Sequence, residues 1–443
     1  MSFHTANISP VSDEKPMADT PRRIDIGFLS GCRYFAYEAM EDIAALWTGL
    51  QRDCVGTPFQ TYSWIKAVVA ADCPDQGDGK TACFRPLFVV GFVEDKPVVI
   101  LPLAIRYAMT GKLLTWLGDR ISDYHGPLVD RAYASRLPDN LIEAIASLIH
   151  SAIPQIDAVH LTRLPASGPD IAKSSLTNAS VLAAEYSSHT LALKKDWKGL
   201  YAAMRSSKSR QRLRSKYRAF KATGRVSFRR VRGAENCLTA ARQILDWKSA
   251  QVEEAGRRSP FGTADAPSAT RMAIEAALSD ADNTSLRVYG LFRDNALTAG
   301  MLAFASDRVF YYYVSAYSPQ LDSKFSAGIQ LLTKTIELAA RAGCDSYDLL
   351  IGDEKYKNDW ADTDVALFNY TRPFTLKGRL ICAALHARFS LKKKIMRTPW
   401  LDDFGRSTVK TIFGQTARKA RLAAREPSRG DKAVSPIQHR PPM

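Results

Sequence analysis

Three strand-like runs at 285–293, 297–305 and 308–316, joined by the short polar turns Arg293-Asp-Asn295 and Ser306-Asp-Arg308, most constrain what this chain can fold into. Turns of that length reverse the chain, so the runs form an antiparallel meander. The next segment breaks the pattern: helical spacing from 326 to 342 ends near Gly343, as a C-terminal glycine ends a helix, and a further strand runs over 345–351. A basic helix at 207–222, a strand at 226–231 and helices at 235–254 and 268–279 precede the meander, and a strand at 366–372 closes the unit. The order β, α, α, β, β, β, α, β, α, β predicts a largely antiparallel sheet with one crossover helix.

The first half reads as a second mixed α/β unit. Helical spacing covers 41–50 and 62–71, with Trp47 and Trp64 as core anchors, and strands fall at 86–93, 97–107, 113–117, 126–129 and 158–164 with a helix at 137–151. For 443 residues two domains are expected: a disordered lead over 1–25, domains at 26–190 and 191–375, and a basic tail at 376–443, partly helical and then disordered. The fold class is α/β (α+β), with mixed, largely antiparallel sheets flanked by helices.

No apolar run approaches the roughly 18 residues that span a bilayer, and the lead has no signal-peptide pattern, so a cytoplasmic protein is expected. The seven cysteines include no Cys-x-x-Cys pair and no His/Cys cluster has ligand spacing, which argues against a disulfide framework or a bound metal. Gly77-Asp-Gly-Lys-Thr81 lacks the first glycine of a P-loop, and no Gly-x-Ser-x-Gly elbow is present. The net charge of +16 is unevenly placed: Arg205 to Arg225 holds nine basic residues and no acid, and 371–443 holds 17 against four. The rest of the chain is mildly acidic. An anionic partner is expected at the basic helix 205–225 and the tail, anionic lipid and tRNA both being of that kind.

The strand at 345–351 stops at Gly352 and delivers Asp353, Glu354, Tyr356 and Lys357 within two helical turns, with Asp348 set among Leu349, Leu350 and Ile351. A carboxylate there needs a partner, either Lys357 or a nearby arginine, and Asp353 has the look of an N-cap. At the helix start, Ser326, Ala327 and Gly328 present little bulk to an approaching pyrophosphate, with Lys324 as counter-charge; the alternative is a Ser326 that simply caps the helix. Tyr311, Tyr313 or Ser315 could line an acceptor pocket, and His125 in Ser122-Asp-Tyr-His-Gly-Pro127 would be a ready base near neutral pH.

Pro58-Phe-Gln-Thr-Tyr-Ser-Trp64, Ser122 to Pro127, Ser206 to Arg214 with Gly224, and Phe325-Ser-Ala-Gly-Ile329 with Asp348 to Lys357 together resemble the GNAT acyltransferases. More specifically they resemble the tandem GNAT-like proteins of the cellulose-biosynthesis CelD group, distant relatives of the Fem aminoacyl transferases. Where the usual pyrophosphate loop reads Gln/Arg-x-x-Gly-x-Gly/Ala, this chain has Lys324-Phe-Ser-Ala-Gly328. The resemblance implies an acetyltransferase-like enzyme moving an acyl group from acyl-CoA (acetyl-CoA) to an amine or hydroxyl, small molecule or glycan, in envelope or exopolysaccharide metabolism, cytoplasmic or peripheral to the inner membrane. Lys324, Ser326, Ala327 and Gly328 would bind the donor. Asp348 or Glu354 would act as base, Tyr356 as acid and His125 as a further base. Tyr313, Ser315, Asp353, Lys357, Asp123 and Tyr124 would hold the acceptor between the domains. The rivals are a Fem-like enzyme using aminoacyl-tRNA and a non-catalytic binding subunit of a polysaccharide-synthesis system.

Overall fold

The structure, a computed structural model, describes residues 23–72, 84–108, 111–165, 181–184, 187–280, 285–306, 308–352 and 354–397. The Gly77 to Thr81 loop, Asp353 and most of the lead and tail lie outside them. In chain order the first half carries β1 (Arg23–Leu29), β2 (Cys32–Tyr37), α1 (Ala44–Leu50), β3 (Cys54–Val55), α2 (Tyr62–Asp72), β4 (Phe84–Val93), β5 (Lys96–Ala108), β6 (Gly111–Trp116), β7 (Leu128–Asp130), α3 (Leu141–Ala152), β8 (Ala158–Pro165) and β9 (Val181–Ala183). The second half carries β10 (Ser188–Ala192), α4 (Trp197–Met204), α5 (Ser207–Lys221), β11 (Val226–Arg230), α6 (Ala234–Glu254), α7 (Ala269–Ser279), β12 (Leu286–Arg293), β13 (Ala296–Ala305), β14 (Val309–Tyr317), α8 (Ala327–Ala342), β15 (Ser346–Ile351), α9 (Lys355–Asn358), β16 (Thr363–Val365), β17 (Leu367–Pro373) and α10 (Leu376–Arg397).

The meander forms as its turns dictate, with β12, β13 and β14 paired antiparallel and β15, after α8, returning parallel to β14. The first half repeats the device: β4, β5 and β6 are antiparallel, and β8, after α3, lies parallel to β6. Central strands such as β4 and β13 are buried along most of their length, which is why they read as near-continuous apolar runs.

Two features depart from expectation. Arg23, Ile24 and Asp25, assigned to the lead, begin the hairpin of β1 and β2. The strand expected to close the second unit, β17, instead pairs with β8 and β9 in the first sheet, while β10 pairs with β15 and β16 in the second. The first sheet is thus completed by a strand from beyond the expected boundary, and the second by one that straddles it. The sheet orders are β1-β2-β4-β5-β6-β8-β17-β9, with β3 and β7 to one side, and β11-β12-β13-β14-β15-β10-β16.

One apolar cluster runs through both halves. Phe59 packs edge-on against Trp64, Tyr124, Phe304 and Tyr313, joining α2 and the 122–126 loop to the meander. Edge-to-face geometry adds to the burial of these large rings. The polar atoms inside are paired: Trp64 Nε1 donates to Ser122 Oγ at 2.9 Å, and Gln60 Nε2 to the Tyr124 carbonyl at 3.2 Å. The Pro58 to Trp64 and Ser122 to Pro127 stretches are therefore in contact, and the first orients the second.

Candidate functional site

β14 and β15 pair only over Val309–Tyr311 and Ser346–Asp348. β14 also bulges, since Leu302 faces Val314 while Ala303 faces Tyr312, leaving Tyr313 as the extra residue. Beyond the paired stretch lies a cavity of about 320 Å³ lined by Tyr312, Ser315 and Tyr317 of β14, the first turn of α8, Lys248 and Gln251 of α6, and Tyr356 of α9.

At the start of α8, Ser326 adopts a left-handed conformation, φ 52°, and its side chain caps nothing. The cap reading fails. The first turn's amides have no acceptor within the helix, and the Gln330 amide is the one that donates back to Ser326. A Cβ built on Gly328 would meet nothing but the Tyr317 ring, 3.4 Å away, so the backbone there is approachable. The expected counter-charge is elsewhere: Lys324 pairs with Asp322 at 2.8 Å and its side chain is largely exposed. Its place is taken by Lys216 of α5, whose Nζ donates to Ser326 Oγ at 2.7 Å, and Lys216 also lines an adjoining cavity of about 300 Å³ with Arg205 and Arg212. Helix start, hydroxyl and three cations suit a pyrophosphate. Lys216→Ala is expected to weaken the binding of inorganic pyrophosphate about tenfold in a calorimetric titration, one charge-assisted contact being worth roughly that factor.

The acidic residues gather where the two sheets meet. Asp348 is buried, and it accepts from the Tyr124 hydroxyl at 2.9 and 3.0 Å and from the Leu350 amide at 2.7 Å. Leu350 has φ +58°, so β15 kinks where its amide turns back to the carboxylate. Burial pushes Asp348 up to about 7 and Asp123 up to about 6, and Asp123 adds to the rise at Asp348. Lys357 Nζ donates to the Ile351 carbonyl at 2.5 Å and lies 3.2 Å from Glu354 Oε2. Gly352 makes this possible, with φ +132° and no Cβ where Glu354 Oε2 would stand 2.3 Å away and Lys357 Nζ 2.9 Å away. Burial pulls Glu354 upward, but Lys357 and Lys248 outweigh it and hold the carboxylate ionised. Burial lowers Lys248 and raises Tyr356, whose hydroxyl, 3.4 Å from that of Tyr312, stays protonated.

Ser315, Ser326, Ala327, Gly328 and Tyr356 therefore share one cavity, and Asp123, Tyr124, Asp348, Glu354 and Lys357 form one cluster beside it. Asp348 takes neither Lys357 nor an arginine as its hydrogen-bond partner; Tyr124 fills that place. Tyr313 does not line the donor cavity: its ring packs on Phe59 and Trp64 and its hydroxyl donates to the Ile121 carbonyl at 3.0 Å. His125 is buried, stacked over Trp116 at 6.2 Å, and burial pulls it well below its usual range. A neutral imidazole in the core is no base for a substrate in that cavity. Lys216 belongs to the basic helix 205–225 expected to meet an anion, although the sequence does not single it out among the nine cations there; Lys248 is not recognisable, since it sits in a long helix whose apolar stripe says nothing about what the polar face meets.

Two sheets of mostly antiparallel strands, each with a crossover helix, make this a tandem mixed α/β protein of GNAT-like fold. Residues 207–358 match the family model described as Acetyltransferase (GNAT) domain. FemX is similar in structure over 76% of this chain and 96% of its own, at 10% identity and a TM-score of 0.50. L-PGS from Bacillus licheniformis (11% identity, 78% and 96% covered, TM-score 0.46) and a tandem GNAT protein from the clavulanic acid biosynthesis pathway (12%, 77% and 98%, TM-score 0.40) are also similar. No curated protein sequence matches the chain.

Proposed function

We propose that the protein transfers an acyl group, acetyl in the simplest case, from acyl-CoA to an amine or hydroxyl acceptor. The setting we infer is envelope or exopolysaccharide metabolism, with the chain a CelD-like protein of the cytoplasm or the inner membrane's cytoplasmic face. One observation carries the reading: Ser326, Ala327 and Gly328 at the α8 start share one cavity with Tyr356, and Lys216 reaches the Ser326 hydroxyl from the adjoining cavity. The amides of 327–329 and Lys216 would hold the donor's phosphates, and its thioester would supply an activated acyl carbon and a thiol leaving group.

The chain's own groups then divide the proton traffic. Tyr356, kept protonated by burial, gives the proton from Oη to the departing sulfur. Asp123, poised at about 6 because Arg163 and Lys357 favour its carboxylate against the pull of burial, takes a proton from the acceptor and becomes neutral. Asp348 positions this cluster through Tyr124 rather than touching substrate. Tyr356→Phe is expected to lower kcat roughly 100-fold with donor affinity unchanged, measured by steady-state turnover and calorimetric titration with acetyl-CoA. Full activity in that variant would remove Tyr356 from the mechanism.

A second reading, an aminoacyl-tRNA donor, is favoured by the α5 surface. Arg205, Arg212 and Lys216 lie beside the stacked rings of Trp197, Tyr201 and Trp360, and Arg205 sits 4.4 Å over Trp360. Steeply salt-dependent tRNA binding together with no acetyl-CoA binding would establish it in place of the first.

A further inference from the structure

The first sheet holds a polar cavity of whose lining the reaction above uses only Arg163. β8 and β17 present His160, Thr162 and Asn369 on one face, and α10 crosses them with Leu385, Arg388 and Phe389, enclosing about 330 Å³. A helix laid on a sheet ordinarily seals an apolar layer, so a polar lining here requires an explanation.

Its charges are lopsided. Arg163 donates Nη1 to the Ser122 carbonyl at 2.6 Å and its amide to Asn369 Oδ1 at 3.0 Å, which fixes the guanidinium at the cavity wall. Arg388 has no ion pair among the described residues, and the buried Thr162 Oγ1 has no hydrogen-bond partner there. Asp119 is the one acid in the lining, and Arg106, which also holds Asp72, neutralises it at 3.3 Å. Two guanidinium groups, an imidazole and an unpaired hydroxyl around one space suit an oxyanion.

Its position gives that oxyanion a purpose. Ile351, the last residue of β15, lines this cavity, and its carbonyl receives Lys357 Nζ from the cluster next to the donor site. Arg163 also holds the residue before Asp123. We propose that this cavity anchors the phosphate or carboxylate group of an anionic acceptor, whose nucleophilic end then reaches Asp123 and Lys357. The acceptor role rests on the acyl-transfer reading; the oxyanion site does not.

The test is calorimetric titration of the full chain with inorganic phosphate, with glutarate and with acetyl-CoA, on wild type, Arg388→Gln and Lys216→Ala. Arg388 is exposed, so its replacement leaves folding intact. Saturable oxyanion binding that weakens about tenfold in Arg388→Gln and is unchanged in Lys216→Ala supports the site, and the tighter of phosphate and glutarate names the group it takes. No saturable binding, binding equal in Arg388→Gln, or binding lost in Lys216→Ala alone overturns it. Arg388-dependent oxyanion binding without acetyl-CoA binding supports the site and overturns the acyl-CoA reading, so the two failures are told apart.

Discussion

Gly328→Trp is expected to lower acetyl-CoA affinity at least about 100-fold, roughly 2.7 kcal/mol, without unfolding the protein. Gly328 lies in the first turn of α8 and lines the cavity of about 320 Å³. A Cβ there touches the Tyr317 ring at ordinary contact distance, so the backbone accepts a side chain and the helix gains from losing a glycine. An indole would fill the space in front of the free amides. Gly328→Ala is the companion variant and should keep most of the affinity. Calorimetry gives the binding and a thermal melt the fold; undiminished binding in the tryptophan variant would move the donor away from the α8 start.

Asp348→Asn should change how stability depends on pH. The folded value of about 7 lies above the ordinary 3.8, so between about pH 4 and pH 7 the native state holds a proton that the unfolded chain has released. Stability from this residue is therefore complete below about pH 4 and is lost as pH rises through 7, by roughly 4 kcal/mol in all. Asparagine cannot ionise, yet its side-chain oxygen can still accept from Tyr124 and from the Leu350 amide. Urea unfolding midpoints at pH 5 and pH 8 should show the wild type losing more stability across that interval than the variant. An identical loss in both would mean that folding does not raise the pKa of Asp348.

The sequence makes legible what local pattern controls. Short polar turns between apolar runs set the antiparallel meander, and Gly343 sets the end of α8, because those signals act within a few residues. Tyr356 and the Ser326 to Gly328 turn stand out because a strand end and a helix start are local events. Partnerships across the chain are not legible. Tyr124 reaches Asp348 across 224 positions, and Lys216 reaches Ser326 across 110. Lys324, adjacent in sequence, turns to the nearer Asp322. His125 misleads for a related reason: polar neighbours in a loop do not reveal that Trp116 will cover the ring. The aromatic run of β14 carries one usable sign of irregularity, since rings on both faces of a strand sit awkwardly in a regular ladder.

Because β17 of the second half completes the first sheet and β10, which straddles the expected boundary, belongs to the second, the molecule does not come apart at its apparent seam. A cut near residue 190 would split β10 and leave β17 on the piece that lacks its partners β8 and β9, so each fragment would carry a ragged sheet. Complementary fragments would have to find one another before either could finish its own architecture, so the smallest expressible unit is the interlocked pair.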